Sequence, residues 1–271
     1  MSDYIEITFN DIQPEQKEML IAHLFQAGYE GFEERENELK AFIDEKEFDK
    51  FFLKELAYKH QLDYQQQQIK EQNWNAVWES SFQPVIIDDF AAVRADFHPP
   101  VINIQHEIII TPKMSFGTGH HATTYMMIQQ MKDIDFVNKS VFDFGTGTGV
   151  LAILAEKLGA NKVIAIDNDE WSIRNAEENI QRNNCSIINL ELSDSAKQNE
   201  TADIILANIN KNVILNNLSI LKDQLKPNGV LLISGLLRED ETDILSKTEA
   251  LRFKLILKAE RHNWLCLRFS H

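Results

Sequence analysis

Three glycines at alternate positions, Gly145, Gly147 and Gly149, with Asp143 in front of them and Asp167 behind, are the residues of this 271-residue chain whose spacing most directly implies chemistry. A strand that turns sharply into a helix, and lets a ligand touch its backbone at Gly145 and Gly147, cannot carry side chains there. Asp167, eighteen residues past Gly149, falls at the carboxyl end of the next strand, where a carboxylate accepts hydrogen bonds from both hydroxyls of a ribose. An adenosine-containing cofactor is therefore expected. Dinucleotide sites favour Gly-x-Gly-x-x-Gly with a pyrophosphate at a helix N-terminus. Here the third glycine comes one place early, and Asp143 would repel an anion. The cationic sulfonium and amino group of S-adenosylmethionine suit an acidic neighbour, so that cofactor, with S-adenosylhomocysteine as product, is preferred over a nicotinamide dinucleotide.

Two other stretches contribute polar groups. The apolar run Asp203 to Ala207 ends at Asn208, whose amide offers a donor and an acceptor at the crevice side of a buried strand. Upstream, Lys113-Met-Ser-Phe-Gly-Thr-Gly-His-His-Ala-Thr-Thr124 gives a loop with Phe116 between flexible positions, able to fold over a bound cofactor. Thr123 or Thr124 would then cap the following helix or point a hydroxyl from its first turn. His120 and His121 are adjacent, so their side chains diverge, and no third ligand lies at a usual spacing; a metal site is not expected.

These residues need a scaffold, and the periodicity supplies one. Val141 to Phe144 reads as a strand, Val150 to Leu158 as a helix stopped by Gly159, and the run ending at Asp167 as a second strand. A helix over Asp169 to Asn183, a strand over Ile187 to Leu192, the Asn208 strand, a helix over Lys211 to Leu225, the turn Lys226 to Gly229 and a strand over Val230 to Ser234 continue the alternation. Phe253 to Ala259 and Trp264 to Phe269 close it as a hairpin at the sheet edge. Ahead of this unit, Val85 to Phe97 and Ile102 to Thr111 read as strands and Tyr125 to Met131 as a helix. The expected class is α/β, a Rossmann-like doubly wound sheet.

The first seventy residues have a different rhythm. Tyr4 to Phe9 alternates as a strand; Pro14 to Ala27 places Met19, Leu20, Leu24 and Phe25 at helical spacing before Gly28. Short strands follow at Tyr29 to Glu34 and Glu38 to Ile43. Asp44 with Glu47 resembles a capping box for a helix carrying Phe48, Phe51, Phe52 and Leu56, and Leu62 to Ile69 is a polar edge strand. The order βαββαβ is ferredoxin-like. Glu71 to Phe82, with Trp74 and Trp78 one helical turn apart, reads as a connector. The expected domains are 1–70, a small α+β domain for substrate recognition; 71–83, a helical linker; and 84–271, catalytic.

A net charge of −15 argues against direct nucleic-acid binding, which needs a basic face. Residues 1–70 hold sixteen Asp and Glu against eight Lys and Arg, an acidity that would attract a basic protein partner. No apolar stretch is long enough to span a bilayer, the start lacks a secretory pattern, and two cysteines do not make a disulfide framework; a cytoplasmic location and no membrane partner are expected.

The stretches MSFGTGHHATT, VFDFGTGTGVLAILAEKLGA, VIAIDND, DIILANI and WLCLRF together resemble the bacterial ribosomal-protein methyltransferase family called PrmA, over essentially the whole chain. The resemblance implies a class I methyltransferase domain that trimethylates lysine and N-terminal amino groups of large-subunit ribosomal protein eleven, a basic protein. It places cofactor contacts on Thr124, Gly145, Asp167 and Asn208, with Asn208 also on the catalytic side. The chain departs from the family's usual pattern at Pro112-Lys113-Met114-Ser115 and at Ile209-Asn210-Lys211. A methyltransferase of the same fold acting on another protein or a small amine, and a non-catalytic cofactor-binding protein, are the alternative readings.

Overall fold

The computed structural model describes residues 4–35, 37–69, 83–111 and 119–271. The expected linker over 71–82, with Trp74 and Trp78, and the loop from Lys113 through Phe116 to Thr118 lie outside the described residues. The chain divides into two compact units, Met1–Gln83 and Pro84–His271.

In the first unit, β1 (Tyr4–Asn10), α1 (Pro14–Gln26), β2 (Gly31–Arg35), β3 (Glu38–Asp44), α2 (Lys50–His60) and β4 (Tyr64–Ile69) follow one another, and the strands form an antiparallel sheet in the order β2-β3-β1-β4. Alternation buries Ile5, Ile7 and Phe9 of β1 and Leu39, Ala41 and Ile43 of β3 with Leu20, Leu24, Leu53 and Leu56 of the helices. Phe25, expected on the apolar face of α1, is instead half exposed. The cap of α2 also differs from expectation. β3 runs on through Asp44, which pairs with Tyr4, so Asp44 only closes a turn by accepting from the Lys46 amide, 2.9 Å. Asp49 is the cap, accepting from the amides of Phe51 (2.8 Å) and Phe52 (3.1 Å).

The second unit opens with a three-stranded sheet, β5 (Val85–Ile87), β6 (Ala91–Ala95) and β7 (His106–Ile110), in sequence order. The single strand expected over 85–97 is interrupted at Asp88, whose positive φ of 50° turns the chain back. The main sheet comprises β8 (Ser140–Phe144), β9 (Lys162–Asp167), β10 (Ile188–Leu192), β11 (Ala202–Asn208), β12 (Leu225–Leu237), β13 (Lys254–Arg261) and β14 (Trp264–Ser270). Their order is β10-β9-β8-β11-β12-β14-β13, parallel except for β14, which is antiparallel to both neighbours. Helices α3 (Ala122–Met131), α4 (Val150–Lys157), α5 (Glu170–Arg182), α6 (Lys211–Gln224) and α7 (Glu241–Ala250) complete the unit. β12 is longer than the five residues expected. Leu225 pairs with Ala202 and Val230 with Ile204, so the Lys226–Gly229 excursion, with Asn228 at φ 62°, lies inside the strand.

The direction of winding reverses between β8 and β11. In a parallel sheet the crevice lies there, at the carboxyl ends, and the glycine turn, Asp167 and Asn208 end β8, β9 and β11 respectively. At the opposite, amino end, Asp203 accepts from the Ser140 amide (2.9 Å), the Ser140 hydroxyl (2.7 Å) and Lys226 Nζ (2.8 Å), joining β8, β11 and β12. Burial opposes that carboxylate's charge, but these partners outweigh it and lower the Asp203 carboxyl to about 2.

Candidate active site

The turn after β8 is held by backbone and side-chain hydrogen bonds together. The amides of Gly145 and Thr146 both donate to the Ile166 carbonyl (3.0 and 2.8 Å), and the Gly149 amide donates to the Thr146 carbonyl (2.9 Å). All three glycines have positive φ, at 79°, 54° and 81°, a region that costs other residues about 1–2 kcal/mol. The reason for glycine at two of them is sharper than ligand approach. A Cβ on Gly145 would overlap Ile209 Cγ2, and one on Gly149 would press on Ala176 Cβ at 3.2 Å. These two positions are glycine because the next loop and α5 pack directly on the turn.

Asp143 stands in the central strand between Ala165 of β9 and Leu206 of β11, and it is fully buried. Its Oδ2 accepts from the Thr146 hydroxyl at 2.6 Å, while Oδ1 has no hydrogen-bond partner among the described residues. Burial pushes the carboxyl up to about 7, against the Thr146 bond and with the charge of Asp167 adding to it. Asp143 is therefore only partly ionised at neutral pH, and it discriminates between anionic and cationic ligands less strongly than a fixed charge would. Asp167 is half-buried; Oδ2 accepts from the Gly147 amide (2.9 Å) and Oδ1 from the Asp169 amide (3.1 Å). Each oxygen keeps a second lone pair for a ligand hydroxyl.

Asn208 and Thr124 meet. Asn208 Nδ2 donates to Thr124 Oγ1 at 3.1 Å, both side chains are buried, and Asn208 Oδ1 has no partner among the described residues. An unpaired buried amide oxygen is costly, so a ligand donor is its natural complement. α3 begins at Ala122, three residues earlier than expected, with His121 rather than a threonine as its cap: the Thr123 amide (3.3 Å) and hydroxyl (2.7 Å) both lie on His121 Nδ1. This leaves the Thr124 hydroxyl for Asn208. Burial lowers the pKa of His121, whose ring stands edge-on to Trp264 at 4.6 Å.

The structure thus gathers Gly145, Gly147 and Asp167 in one turn and Thr124 with Asn208 in a second cluster, linked through Ile209, whose side chain lies over Gly145. Phe116 is outside the described residues. Sequence reasoning missed Gly235, at φ 84°, where a Cβ would collide with the Ile209 carbonyl. It sits at a bulge where β12 shifts register against β14 between Ser234 and Leu236, and a glycine inside a strand was the available signal. It also missed Asn175, Asn179 and Asn183, buried at every fourth position of the α5 register. Among the described residues, no three His, Cys, Asp or Glu side chains are grouped to hold a metal ion, and no helix is long and apolar enough to cross a membrane.

The site can be set beside known proteins. The family model described as ribosomal protein L11 methyltransferase (PrmA) matches residues 5–271. Proteins named ribosomal protein L11 methyltransferase from Phocaeicola vulgatus and Porphyromonas gingivalis are 35% identical over 98% of this chain and 98% of theirs, and 38% identical over 93% and 90%. The crystal structure of a ribosomal protein L11 methylase from Lactobacillus delbrueckii subsp. bulgaricus is similar with a TM-score of 0.66, at 28% identity, over 70% of this chain and 99% of that one. With a crevice at the β8–β11 reversal and a family match over nearly its whole length, this chain belongs to the ribosomal protein L11 methyltransferase family.

Proposed function

We propose that this protein transfers methyl groups from S-adenosylmethionine to lysine and N-terminal amino groups of ribosomal protein L11, three to each amine. The observation that carries the reading is the Asn208–Thr124 pair at the carboxyl end of β11, with one buried amide oxygen unsatisfied next to the glycine turn. The residues suit the cofactor: Asp167 has lone pairs to receive ribose hydroxyls, the Gly145–Gly147 backbone forms the turn beside it, and Thr124 and Asn208 present polar groups across the crevice.

The bound cofactor supplies an electrophilic methyl group on a sulfonium. What the chain must add is position and dryness, because an attacking amine needs a free lone pair in line with the methyl. Thr124 holds the Nδ2 end of the Asn208 amide, which leaves the buried Oδ1, unpaired among the described residues, as the acceptor. That oxygen takes an N–H of the incoming neutral amine and so orients the remaining lone pair. An ammonium must lose its proton before attack, and a positioned acceptor such as Asn208 Oδ1 does not remove it; water is the acceptor we assign. Removal of such a positioning bond is worth about 10²-fold or more in turnover.

We read the first unit as a ferredoxin-like domain that recruits the substrate, on the strength of its βαββαβ sheet order and its sixteen acids against eight bases in residues 1–70, which complement a basic ribosomal protein. Intact-mass spectrometry of unmodified ribosomal protein L11, incubated with this protein and S-adenosylmethionine, tests the whole reading. Mass gains in methyl steps that end in multiples of three are expected. No gain, with cofactor binding intact by calorimetry, moves the acceptor elsewhere.

A further inference from the structure

Along the α5 register, three buried asparagines lie one turn apart, and two of them, Asn179 and Asn183, grip two other elements. Asn183 Oδ1 accepts from the Ile109 amide (3.0 Å), and its Nδ2 donates to the Ile109 carbonyl (2.6 Å). Asn179 Oδ1 accepts from the Thr111 amide (2.7 Å), and its Nδ2 donates to the Thr148 carbonyl (2.8 Å) and to Asn175 Oδ1 (3.2 Å). Four helical residues rise about 6 Å, close to the ~6.6 Å between alternate residues of a strand. Asparagines at i and i+4 therefore meet the outward backbone groups of Ile109 and Thr111 in register. β7 pairs with β6 alone among the described residues, and the asparagines occupy the edge that a further strand would take.

The Thr148 bond has a second effect. The peptide unit joining Thr148 to Gly149 is held at both ends: its carbonyl by Asn179 and its N–H by the Thr146 carbonyl, 2.9 Å. That plane sets the left-handed conformation of Gly149, which caps α4 at φ 81°. Asn179, 0% exposed, is the side chain that orients it.

We infer that Asn179 is a positioning residue for the glycine turn, coupling the end of β7 to the backbone that receives the cofactor, whereas Asn183 serves β7 alone. The inference rests on the cofactor reading above. Asn179→Asp keeps the acceptor for Thr111 but sets a carboxylate against the Thr148 carbonyl. Asn183→Asp makes the same chemical change one turn away, keeps the acceptor for the Ile109 amide, and loses only its donations to the Ile109 carbonyl and to the α5 backbone. By calorimetry, N179D should weaken S-adenosylmethionine binding at least tenfold and N183D by less than threefold, and in turnover N179D should raise the KM for cofactor more than the KM for the protein acceptor. Should N179D not fold, Asn179→Ser removes the Thr148 bond, together with that to Thr111, without adding charge, and Asn183→Ser, which likewise releases its hold on β7, is its comparison. Wild-type affinity in the Asn179 variant, or an equal loss in N183D, overturns the inference. If the wild type binds no S-adenosylmethionine, the cofactor reading is what falls. The role of Asn179 is then decided by amide hydrogen exchange at Gly149, which should accelerate in N179D and not in N183D; unchanged exchange refutes it.

Discussion

Gly145→Ala isolates the contact on which the two halves of the site lean. The new methyl would meet two separate penalties. Holding alanine at φ 79° costs about 1–2 kcal/mol, and forcing its Cβ into Ile209 Cγ2 costs about 1–3 kcal/mol as overpacking. Together they predict a loss of roughly 2–5 kcal/mol in the stability of the second unit. Only the second penalty depends on Ile209. Ile209→Ala removes Cγ2 and leaves the backbone conformation untouched, so the double variant should keep the conformational cost and shed the steric one. Urea denaturation of the wild type, both single variants and the double variant gives the coupling directly. The expected result is a double variant more stable than the sum of the single effects by about 1–3 kcal/mol. Additivity within about 0.5 kcal/mol would refute the view that Ile209 is what requires glycine at 145.

Gly235→Ala should be as damaging but not rescued by Ile209→Ala, because its clash is with the Ile209 backbone; rescue seen in denaturation curves would contradict this. Asn208→Ala should lower turnover more than tenfold while S-adenosylmethionine still binds by calorimetry; near-normal turnover would remove Asn208 from the mechanism. Asp143 has a folded pKa near 7, above its ordinary value of 3.8, so the folded state binds the extra proton between those values and wild-type stability should fall as pH rises through that window, by up to ~1.4 kcal/mol per unit. Asp143→Asn should flatten that slope in melting curves taken across pH 4 to 7. Asp203 behaves oppositely: its lowered pKa of about 2 contributes stability that is full above its ordinary value and lost as pH falls towards 2. Asp203→Asn should remove that group's share of the stability lost towards pH 2, as read by a shallower acid-unfolding slope than the wild type's.

Much of the second unit is legible because its signals are local. Apolar runs mark β8, β9 and β11, and Gly145, Gly147 and Gly149 mark a backbone that must adopt positive φ, which the structure gives them. Caps are less legible: Asp169, read as the first residue of its helix, is instead the cap, accepting from the Trp171 and Ser172 amides. They fail where a neighbouring strand claims the residue, as β3 claims Asp44. The extension of β12 to Leu237 was hidden for the same reason, since its limit follows pairing with Trp264 far along the chain; the interruption at Asp88 was hidden because a non-glycine residue takes positive φ there and closes a short hairpin.

What the sequence determined by itself is the kind of turn, the alternation of strand and helix, and the chemistry available at each strand end, because φ preference and hydrophobic period act within a few residues. What only the tertiary structure decided is who meets whom. Thr124 reaches Asn208 across 84 positions, Ile209 is wedged between Gly145 and Gly235, and Asn179 ties Thr111 to Thr148. Those meetings depend on the order of strands in the sheet and on the packing of α5 against its turn. Both are set by burial of the whole core, which no short window of residues encodes.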